Sequence, residues 1–413
     1  MTQNNNIPQG YKDSLLGVIP EEWEVKKFDE ILFEARLGGN YENSESNNGI
    51  PVIKMGNLER GTINLEKIQY LPEDESYNEY DILQENDLLF NTRNTLELVG
   101  KVAIWKNELP LSVYNSNLLR IKFKTEYVVS NIFMNYAFNS HYILSQLRGI
   151  ATGTTSVAAI YSRDLDTINF FLPTLPEQQK IAEILSVWDE AIEKQTQLIS
   201  QLETRKRGLM QQLLTGKKRM KGFSGKWKEV KLGYIATFFS GGTPNTNISE
   251  YYVGGIPFIK SGEIHKSHTE QFISQEALSK SSAKLVEKED ILYALYGATS
   301  GECAISQING AINQAVLCIR TMENRKFILS VLQSNKQHYI DCYLQGGQGN
   351  LSAEIVKSYS LKLPSLAEQT AIANILSTAD TEITLAKQKL ARLKEQKKGL
   401  MQVLLTGKKR VKI

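Results

Sequence analysis

The 413-residue sequence has few of the features that mark several large protein classes. Its three cysteines, Cys303, Cys318 and Cys342, all lie in the last third, and their spacing fits neither a disulfide framework nor a metal site. No apolar run approaches the roughly 20 residues of a membrane-spanning helix. The polar first residues do not form a signal-peptide pattern. These absences favour a protein of the reducing cytoplasm.

Motifs for catalysis are missing as well. The chain has no Gly-x4-Gly-Lys-Ser/Thr phosphate loop, and the absence of any Pro-Pro pair excludes an Asn-Pro-Pro-Tyr adenine pocket. His265 and His268 could supply half of a metal site, but no third or fourth ligand is near in sequence, so we expect two surface histidines and no metal. Net charge is only +3, which says little about partners.

One long stretch is present twice. The copies start at residues 174 and 365 and end at residues 219 and 410, so both offsets are 191 residues without an insertion. Because this period is too long for a solenoid repeat, it indicates a duplicated unit made of one large domain and one long helix. Capping-box pairs open the copies and glycines close them; these residues are Thr174 with Glu177, Ser365 with Glu368, Gly216 and Gly407.

The apolar residues between the caps keep a heptad spacing, which predicts a left-handed coiled coil. Some 40 residues at about 1.5 Å each make a rod of roughly 60 Å. Two unrelated helices, each packed on its own domain, are the alternative. The predicted seam consists of Leu185, Trp188, Ile192, Gln195, Ile199, Leu202, Lys206, Leu209 and Leu213 in the first copy, and of Leu376, Ala379, Ile383, Ala386, Leu390, Leu393, Lys397, Leu400 and Leu404 in the second.

Both copies also carry an interior glycine, Gly208 and Gly399. A glycine inside a helix costs about 1 kcal/mol relative to alanine. Its presence in both copies suggests a close backbone approach, and a simple helix break is the alternative.

The segments before the two helices resemble each other as short strands in the same order. Residues 50–57, 87–90, 99–104 and 115–121 have counterparts at 256–263, 290–293, 300–305 and 313–319. Their offsets fall from 206 to 191, so the loops differ in length while the helices do not. Residues 130–146 and 326–344 have helical spacing, so we predict an α+β fold with two mixed α/β domains, each followed by a long helix.

The predicted domain limits follow from these repeats. They are a flexible tail at 1–12, a first domain at 13–173, a long helix at 174–217, a second domain at 218–364, a second long helix at 365–408 and a basic tail at 409–413.

With these motifs on one chain, the sequence resembles a specificity subunit of a type I restriction–modification system. The resemblance rests on the paired helices, their Gly-Leu-Met-Gln-x-Leu-Leu-Thr-Gly-Lys endings, the Ile-Pro-Glu-Glu-Trp run at 19–23 and the Ile-Pro-x-Ile-Lys strands. It covers nearly the whole chain. Departures are small: Phe-Ser-Gly-Lys-Trp stands at 223–227, and Ala367 replaces the proline of the first helix.

The resemblance implies that each domain is a target-recognition domain for one half of a split DNA site. The two helices would form an antiparallel coiled coil, acting as a spacer and as a dock for two methyltransferase subunits that bind S-adenosylmethionine and methylate adenine N6. Two restriction subunits, which use ATP with magnesium, would complete the complex for phage defence. This chain would be non-catalytic and hold no cofactor.

Loops at the ends of the repeated strands are the candidate DNA contacts, because Arg and Lys pair with guanine and Asn and Gln with adenine. The Gly/Thr loops could instead bind phosphates through backbone N–H groups. The candidates are Lys54, Asn57, Asn91, Arg93, Asn94, Arg148, Thr152, Thr154 and Thr155 in the first domain, and Lys260, Ser261, Glu263, His265, Tyr296, Thr299, Ser300, Gln348 and Asn350 in the second.

Rods of this length laid antiparallel predict half-sites of order one DNA turn or more apart, since DNA repeats every 34–36 Å or so. The differing loops favour an asymmetric bipartite site. Two other functions stay open: a coiled-coil adaptor whose domains bind proteins, and the recognition subunit of a related system that methylates and cuts with a different partner.

Overall fold

The computed structural model describes residues 7–46, 48–154, 156–343 and 350–413. The chain divides into two compact units: unit 1 comprises Met1–Gln195 and Lys389–Ile413, and unit 2 comprises Thr196–Gln388. Both divisions fall inside the long helices, whereas the domain limits predicted from the sequence fall at their ends. The difference arises because sequence limits follow the chain, while the units follow spatial contacts.

Unit 1 is built from short strands and short helices that precede one long helix. Its strands are β1 (Tyr11–Lys12), β2 (Ile19–Pro20), β3 (Glu24–Lys27), β4 (Leu32–Leu37), β5 (Pro51–Ile53), β6 (Gln69–Tyr70), β7 (Leu88–Asn91), β8 (Arg93–Asn94), β9 (Val102–Ile104), β10 (Val113–Tyr114), β11 (Leu118–Phe123), β12 (Thr152–Gly153), β13 (Ala158–Ala159) and β14 (Asn169–Leu172). Its helices are α1 (Phe28–Ile31), α2 (Asn131–Phe138), α3 (His141–Ile150), α4 (Ser162–Leu165) and α5 (Leu175–Leu213), the last of which continues into unit 2.

The central sheet of unit 1 has the order β4-β11-β7-β9 and is antiparallel throughout. Smaller sheets surround it, with the orders β10-β5-β6, β12-β13-β8 and β14-β3. Phenylalanines from several of these elements meet in one core, where Phe28, Phe138 and Phe170 are almost fully buried. Their rings pack mostly edge to face, which is a favourable aromatic geometry.

Unit 2 repeats the order of the central-sheet strands and of the helices that follow them, with different elements in between. Its strands are β15 (Lys228–Lys231), β16 (Ala236–Ser240), β17 (Ile256–Ile259), β18 (Phe272–Ile273), β19 (Lys284–Val286), β20 (Ile291–Ala294), β21 (Cys303–Ile305), β22 (Gly310–Ile312), β23 (Val316–Thr321) and β24 (Ser360–Leu363). Its helices are α6 (Leu232–Ile235), α7 (Gln275–Ser279), α8 (Arg325–Ser334), α9 (Lys336–Tyr343), α10 (Ala353–Ser358) and α11 (Leu366–Leu404), which continues into unit 1.

Two sheets and one parallel strand pairing of unit 2 match those of unit 1. The central sheet β16-β23-β20-β21 corresponds to β4-β11-β7-β9, and the pair β15-β24 corresponds to β3-β14. The parallel pairing of β17 with β22 corresponds to that of β5 with β10. The α+β class predicted from the repeated strands is therefore confirmed.

The two predicted long helices are present as α5 and α11, with 39 residues each. Every predicted seam position is buried or half-buried. Gly216 and Gly407 follow the helices with φ angles of 69° and 70°, in the left-handed region where glycine ends a helix without strain.

The interior glycines do not serve the close backbone approach suggested by the sequence. A Cβ added at Gly208 or Gly399 meets no atom within 4 Å, and both helices run through these positions without a break. Within the described residues, both sequence-based explanations of these glycines are therefore wrong.

Among the helices of the described ranges, none is long and apolar enough to span a membrane.

Candidate nucleic-acid interface

The first predicted contacts lie in a tight turn after β5. Asn57 is 3% exposed, and its Oδ1 accepts the Lys54 N–H at 2.9 Å while its Nδ2 donates to the Asn64 carbonyl at 3.0 Å. The half-buried Lys54 donates from Nζ to Gln69 Oε1 at 2.7 Å. Asn57 thus holds the turn together, and its burial argues against direct base contact.

The corresponding turn of unit 2 is held by a carboxylate. Glu263 is 7% exposed, and its two oxygens accept the N–H groups of Lys260 at 3.3 Å and Glu270 at 2.9 Å. Ser261 is half-buried beside it. Lys260 lines a cavity of about 580 Å³ together with Thr243, Thr246, Ser249, Tyr252, Val253, Phe258, Gln271 and Asn313. Here too the turn residue has a structural role, and Lys260 is the accessible cation.

Asn91, at the end of β7, is fully buried. Its Oδ1 accepts the Arg93 N–H at 3.1 Å, and its Nδ2 has no hydrogen-bond partner within the described ranges. Asn91 therefore positions the backbone of Arg93, and its burial argues against direct base contact. Asn94 is half-buried, and its Oδ1 accepts the N–H of Thr95 at 2.8 Å.

The structure brings two sequence-distant loops together in the small sheet β12-β13-β8. Arg93 and Asn94 on β8 pair with residues 158–159 on β13, which pair in turn with Thr152 on β12. The Thr152 hydroxyl donates to the Ala159 carbonyl at 3.3 Å, and the Thr154 hydroxyl accepts the Val157 N–H at 3.2 Å. Both threonines stabilise the hairpin; Thr155 lies outside the described residues.

An open cleft of about 780 Å³ lies beside this sheet. Arg93 is exposed at its wall. The other lining residues are Leu37, Thr92, Ser116, Asn117, Ala159, Ile160, Tyr161, Ser162 and Arg163. Among them, the sequence interpretation missed Asn117, although it lies in a repeated strand segment, and Tyr161 with Arg163, which no local motif marks.

A second cationic feature of unit 1 joins Arg148, in the last turn of α3, to Arg60. Arg60 donates to the carbonyls of Gly100 and Glu97, both at 3.4 Å. Burial, together with the charge of Arg148, lowers the pKa of Arg60. Neither arginine has a carboxylate partner within the described ranges, so the pair suits an anionic ligand. Arg60 was not predicted, because only the fold places it near α3.

In unit 2 the predicted contacts after β20 form a compact loop. Tyr296 is half-buried, and burial raises its pKa. The Ser300 hydroxyl donates to the Leu295 carbonyl at 3.1 Å, and Thr299 is half-buried. Asn350 is exposed and adjoins this loop, because the neighbouring Leu351 N–H donates to the Leu295 carbonyl at 2.8 Å. Gln348 lies outside the described residues.

His265 is exposed, with its Nε2 3.7 Å from Glu302 Oε2. The same carboxylate pairs with Lys336. His268 is exposed as well. In the part of the chain that the structure describes, no group of three or more His, Cys, Asp or Glu side chains is arranged to hold a metal ion.

Ion pairs fix the direction of the long helices within each unit. In unit 1, Glu177 near the start of α5 pairs with Arg410 just beyond α11, and Asp189 pairs with Lys397. In unit 2 the pairs are Glu203 with Lys387, Lys206 with Asp380, and Arg219 with Glu368. As residue numbers rise on one helix, those of its partners fall on the other, so the pairing in each unit is antiparallel.

The carboxylate in the first turn of α5 is not used as the capping box predicts. Glu177 is fully buried, and it accepts the hydroxyl of Thr174 at 3.1 Å and the indole N–H of Trp23 at 2.8 Å through one oxygen. Its other oxygen accepts Nε of Arg410 at 2.8 Å. Glu177 therefore ties the N-terminal part of unit 1 to the segment after α11.

These features have counterparts among known proteins. The family profile described as "Type I restriction modification DNA specificity domain" matches twice, at residues 20–204 and 224–395. The putative type I restriction enzyme MjaX specificity subunit of Methanocaldococcus jannaschii is 27% identical over 98% of this chain and 97% of its own length. The EcoKI specificity subunit of Escherichia coli is 27% identical over 43% of this chain and 39% of its own.

A crystal structure shows the same fold. The type I restriction–modification system S subunit from M. genitalium superimposes with a TM-score of 0.62, covering 98% of both chains at 17% sequence identity.

Proposed function

We propose, from the premise that this chain belongs to the family of type I restriction–modification DNA specificity proteins, that its two units each recognise one half of an asymmetric bipartite DNA site. The observation that carries the proposal is the twofold match of the DNA specificity profile, one match centred on each unit. The two units share a strand framework but differ in every predicted contact loop, which favours two different half-sites.

The long helices support a second part of the proposal, in which they set the spacing of the half-sites. Each has 39 residues and so a length of about 58 Å at roughly 1.5 Å per residue. Their ion-paired, antiparallel packing in each unit supports that role. The separation of the half-sites would then depend on the number of heptads.

The chain acts with partners in this proposal. Specificity subunits of type I systems work with modification and restriction subunits on DNA, and we assign two of each to this chain. The outer faces of α5 and α11 would dock the methyltransferase subunits, which bind S-adenosylmethionine and methylate adenine N6. ATP with magnesium would serve the restriction subunits, so this chain supplies the DNA address and no catalytic group.

The decisive experiment is methylome sequencing of a strain without native adenine methylation that expresses this chain with its methyltransferase subunit. The expected result is one bipartite N6-methyladenine motif that depends on this chain. A strain with the methyltransferase alone is the control. Absence of methylation, despite a soluble complex with an active methyltransferase, would contradict the proposal and favour the protein-binding adaptor.

The spacer role has its own test. Deleting residues 192–198 and 383–389 removes one heptad at equivalent places in both helices and keeps the Asp–Lys pairs on either side. Seven residues correspond to about 10 Å, or about three base pairs. The motif should lose about three unread base pairs or disappear; an unchanged spacing would show that the helices do not set it.

A further inference from the structure

The cleft of unit 1 beside the β12-β13-β8 sheet carries polar side chains that have no partner among the residues that the structure describes. The guanidinium of Arg93 is exposed, and no carboxylate pairs with it in the described parts of the chain. The hydrogen bonds of Asn117 are made by its backbone, so the side-chain amide stays available. Pairing of β8 with β13 holds the backbone of Arg93 in place.

The polar groups of this cleft suit base edges better than phosphates. Phosphate oxygens accept hydrogen bonds only, so a phosphate site needs donors alone. The cleft instead combines the donors of Arg93 with the amide of Asn117 and the hydroxyls of Ser116 and Ser162, which can both donate and accept. Base edges in the major groove present both donors and acceptors.

The equivalent place in unit 2 can be identified from its backbone hydrogen bonds. Thr92 N–H donates to the Asn117 carbonyl at 3.0 Å, as Leu295 N–H donates to the Ala315 carbonyl at 2.8 Å. Tyr296 therefore corresponds to Arg93. On the adjoining segment, Ile160 and Leu351 donate to the carbonyls of Thr92 and Leu295.

Through this correspondence, Asn117 of unit 1 matches Ala315 of unit 2, and Arg163 matches Glu354. At these described positions unit 2 thus has no guanidinium, and Glu354 pairs with Lys357 at 2.7 Å. A site that held the DNA backbone in general would be needed in both units. A site that is basic and amide-bearing in one unit only is suited to sequence discrimination.

We propose that Arg93 donates two hydrogen bonds to O6 and N7 of a guanine in the half-site recognised by unit 1, with Asn117 facing the neighbouring base pair. This inference rests on the proposed function. The planar fork of the guanidinium matches the two acceptors of guanine in the major groove, which no other base pair presents in the same arrangement. Arg60 and Arg148, which offer donors alone, suit a phosphate.

The test compares Arg93→Gln and Arg93→Lys with Arg148→Gln in the assembled methyltransferase complex. Methylome sequencing gives the motif, and duplexes with each base substituted give the affinity ratios. Arg93→Gln should relax or change one guanine position in one half-site, reducing discrimination there about 10- to 100-fold. Arg93→Lys keeps the charge but loses the fork, so it should weaken discrimination more than affinity.

Arg148→Gln should instead reduce affinity uniformly across sequences and lower the salt dependence, with the motif unchanged. Tyr296→Ala should affect only the other half-site. An unchanged motif in folded Arg93→Gln, or the absence of guanine from the half-site that unit 1 recognises, would overturn the assignment of Arg93 while the proposed function stands. Loss of methylation with the wild-type chain would remove the proposed function itself.

Discussion

Glu177 in unit 1 and Glu368 in unit 2 occupy equivalent positions in the first turn of α5 and α11, and both are buried. Glu177 divides its oxygens between the Trp23 indole and Arg410, and Arg410 extends to Glu22. Glu368 gives both oxygens to Arg219, at 2.8 Å each. The indole N–H of Trp227 in unit 2 is buried without a partner in the described ranges.

The seam ion pairs differ in the same direction. Asp189 and Lys397 expose 29% and 18% of their side chains, whereas Asp380 and Lys206 expose 55% and 23%. Asp189 also accepts the Tyr136 hydroxyl at 2.6 Å. Asp189 and Glu177 of unit 1 thus each have an additional side-chain partner outside the two long helices, Tyr136 and Trp23. Two duplicated units can therefore keep charged residues at equivalent positions while the exposure and the partners of those residues differ.

The cores diverge in chemistry as well. Phe90 of unit 1 corresponds to Tyr293 of unit 2, whose hydroxyl lies 3.3 Å from that of Tyr359. Burial raises the pKa of Tyr293, and the ring of Tyr339 stacks on Tyr359 with centroids 3.7 Å apart. Buried hydroxyls that bond to each other avoid the cost of an unpaired polar group. The frame thus accepts tyrosine in place of phenylalanine when two hydroxyls meet.

The largest expected difference between the units is in the stability lost through Glu177→Gln and through Glu368→Gln. Trp23 and Arg410 donate to different oxygens of Glu177, and glutamine has only one acceptor oxygen. Glu177→Gln should therefore cost about 2 kcal/mol of unfolding free energy. Glu368→Gln should cost less, because no indole depends on that residue. Urea unfolding, with hydrogen exchange to locate the loss, measures both; equal losses would contradict the difference between units.

Low pH should reduce the stability difference between wild type and Glu177→Gln. Burial alone would raise the pKa of Glu177, but hydrogen bonds from Arg410 and Trp23 outweigh it and hold the pKa below its usual value. A lowered folded-state pKa means stability that is complete above the unfolded value of about 4.3 and is lost as pH falls through the folded value. The gap between wild type and Glu177→Gln should therefore narrow below about pH 4; a constant gap would argue against the ionised pair.

Replacing the equivalent tryptophans, Trp23 and Trp227, should give a smaller difference in stability between the two units. Trp23→Phe removes an indole N–H that donates to a buried carboxylate, whereas Trp227→Phe removes one that has no partner in the described part of the chain. Both lose similar ring volume, so Trp23→Phe should cost about 1.5 kcal/mol more than Trp227→Phe. Thermal and urea unfolding give the two values, and a larger loss from Trp227→Phe would show that its N–H has a partner.

Double-mutant cycles on the seam pairs should show a smaller difference. The cycle of Asp189→Asn with Lys397→Met should give a coupling of about 1 kcal/mol, and that of Asp380→Asn with Lys206→Met about 0.5 kcal/mol, since the second pair is more exposed. Similar couplings, or a stronger one at Asp380, would contradict the expected difference between these two ion pairs. Tyr136→Phe should reduce the first coupling only.

The smallest expected effect is shared by both units. Gly208→Ala and Gly399→Ala place a methyl group in open space on a helix, so each should stabilise the chain by about 0.5–1 kcal/mol. Gly216→Ala is the matched control: its φ of 69° makes alanine strained, and unfolding should become easier. Destabilisation by Gly208→Ala alone would show that the two helices differ here after all.

The long helices and the central strands could be predicted from the sequence because each depends on a local residue pattern. The heptads, the capping residues and the glycines after the helices give α5 and α11, and the repeated strand segments give the matching central sheets. Local patterns suffice here because a helix or strand signals itself within a few residues through its periodicity and its ends.

The contacts between distant residues were decided by the tertiary structure. The sequence could not show that the Glu177 carboxylate would accept hydrogen bonds from Trp23 and Arg410, because that depends on which distant segments pack together. For the same reason the sequence could not show that Asn57 and Glu263 are buried in turns and Asn91 at the end of a strand. Arg60, Asn117 and Arg163 were not predicted at all. Residue type and spacing specify the elements, but exposure and hydrogen-bond partners are set only when those elements pack together.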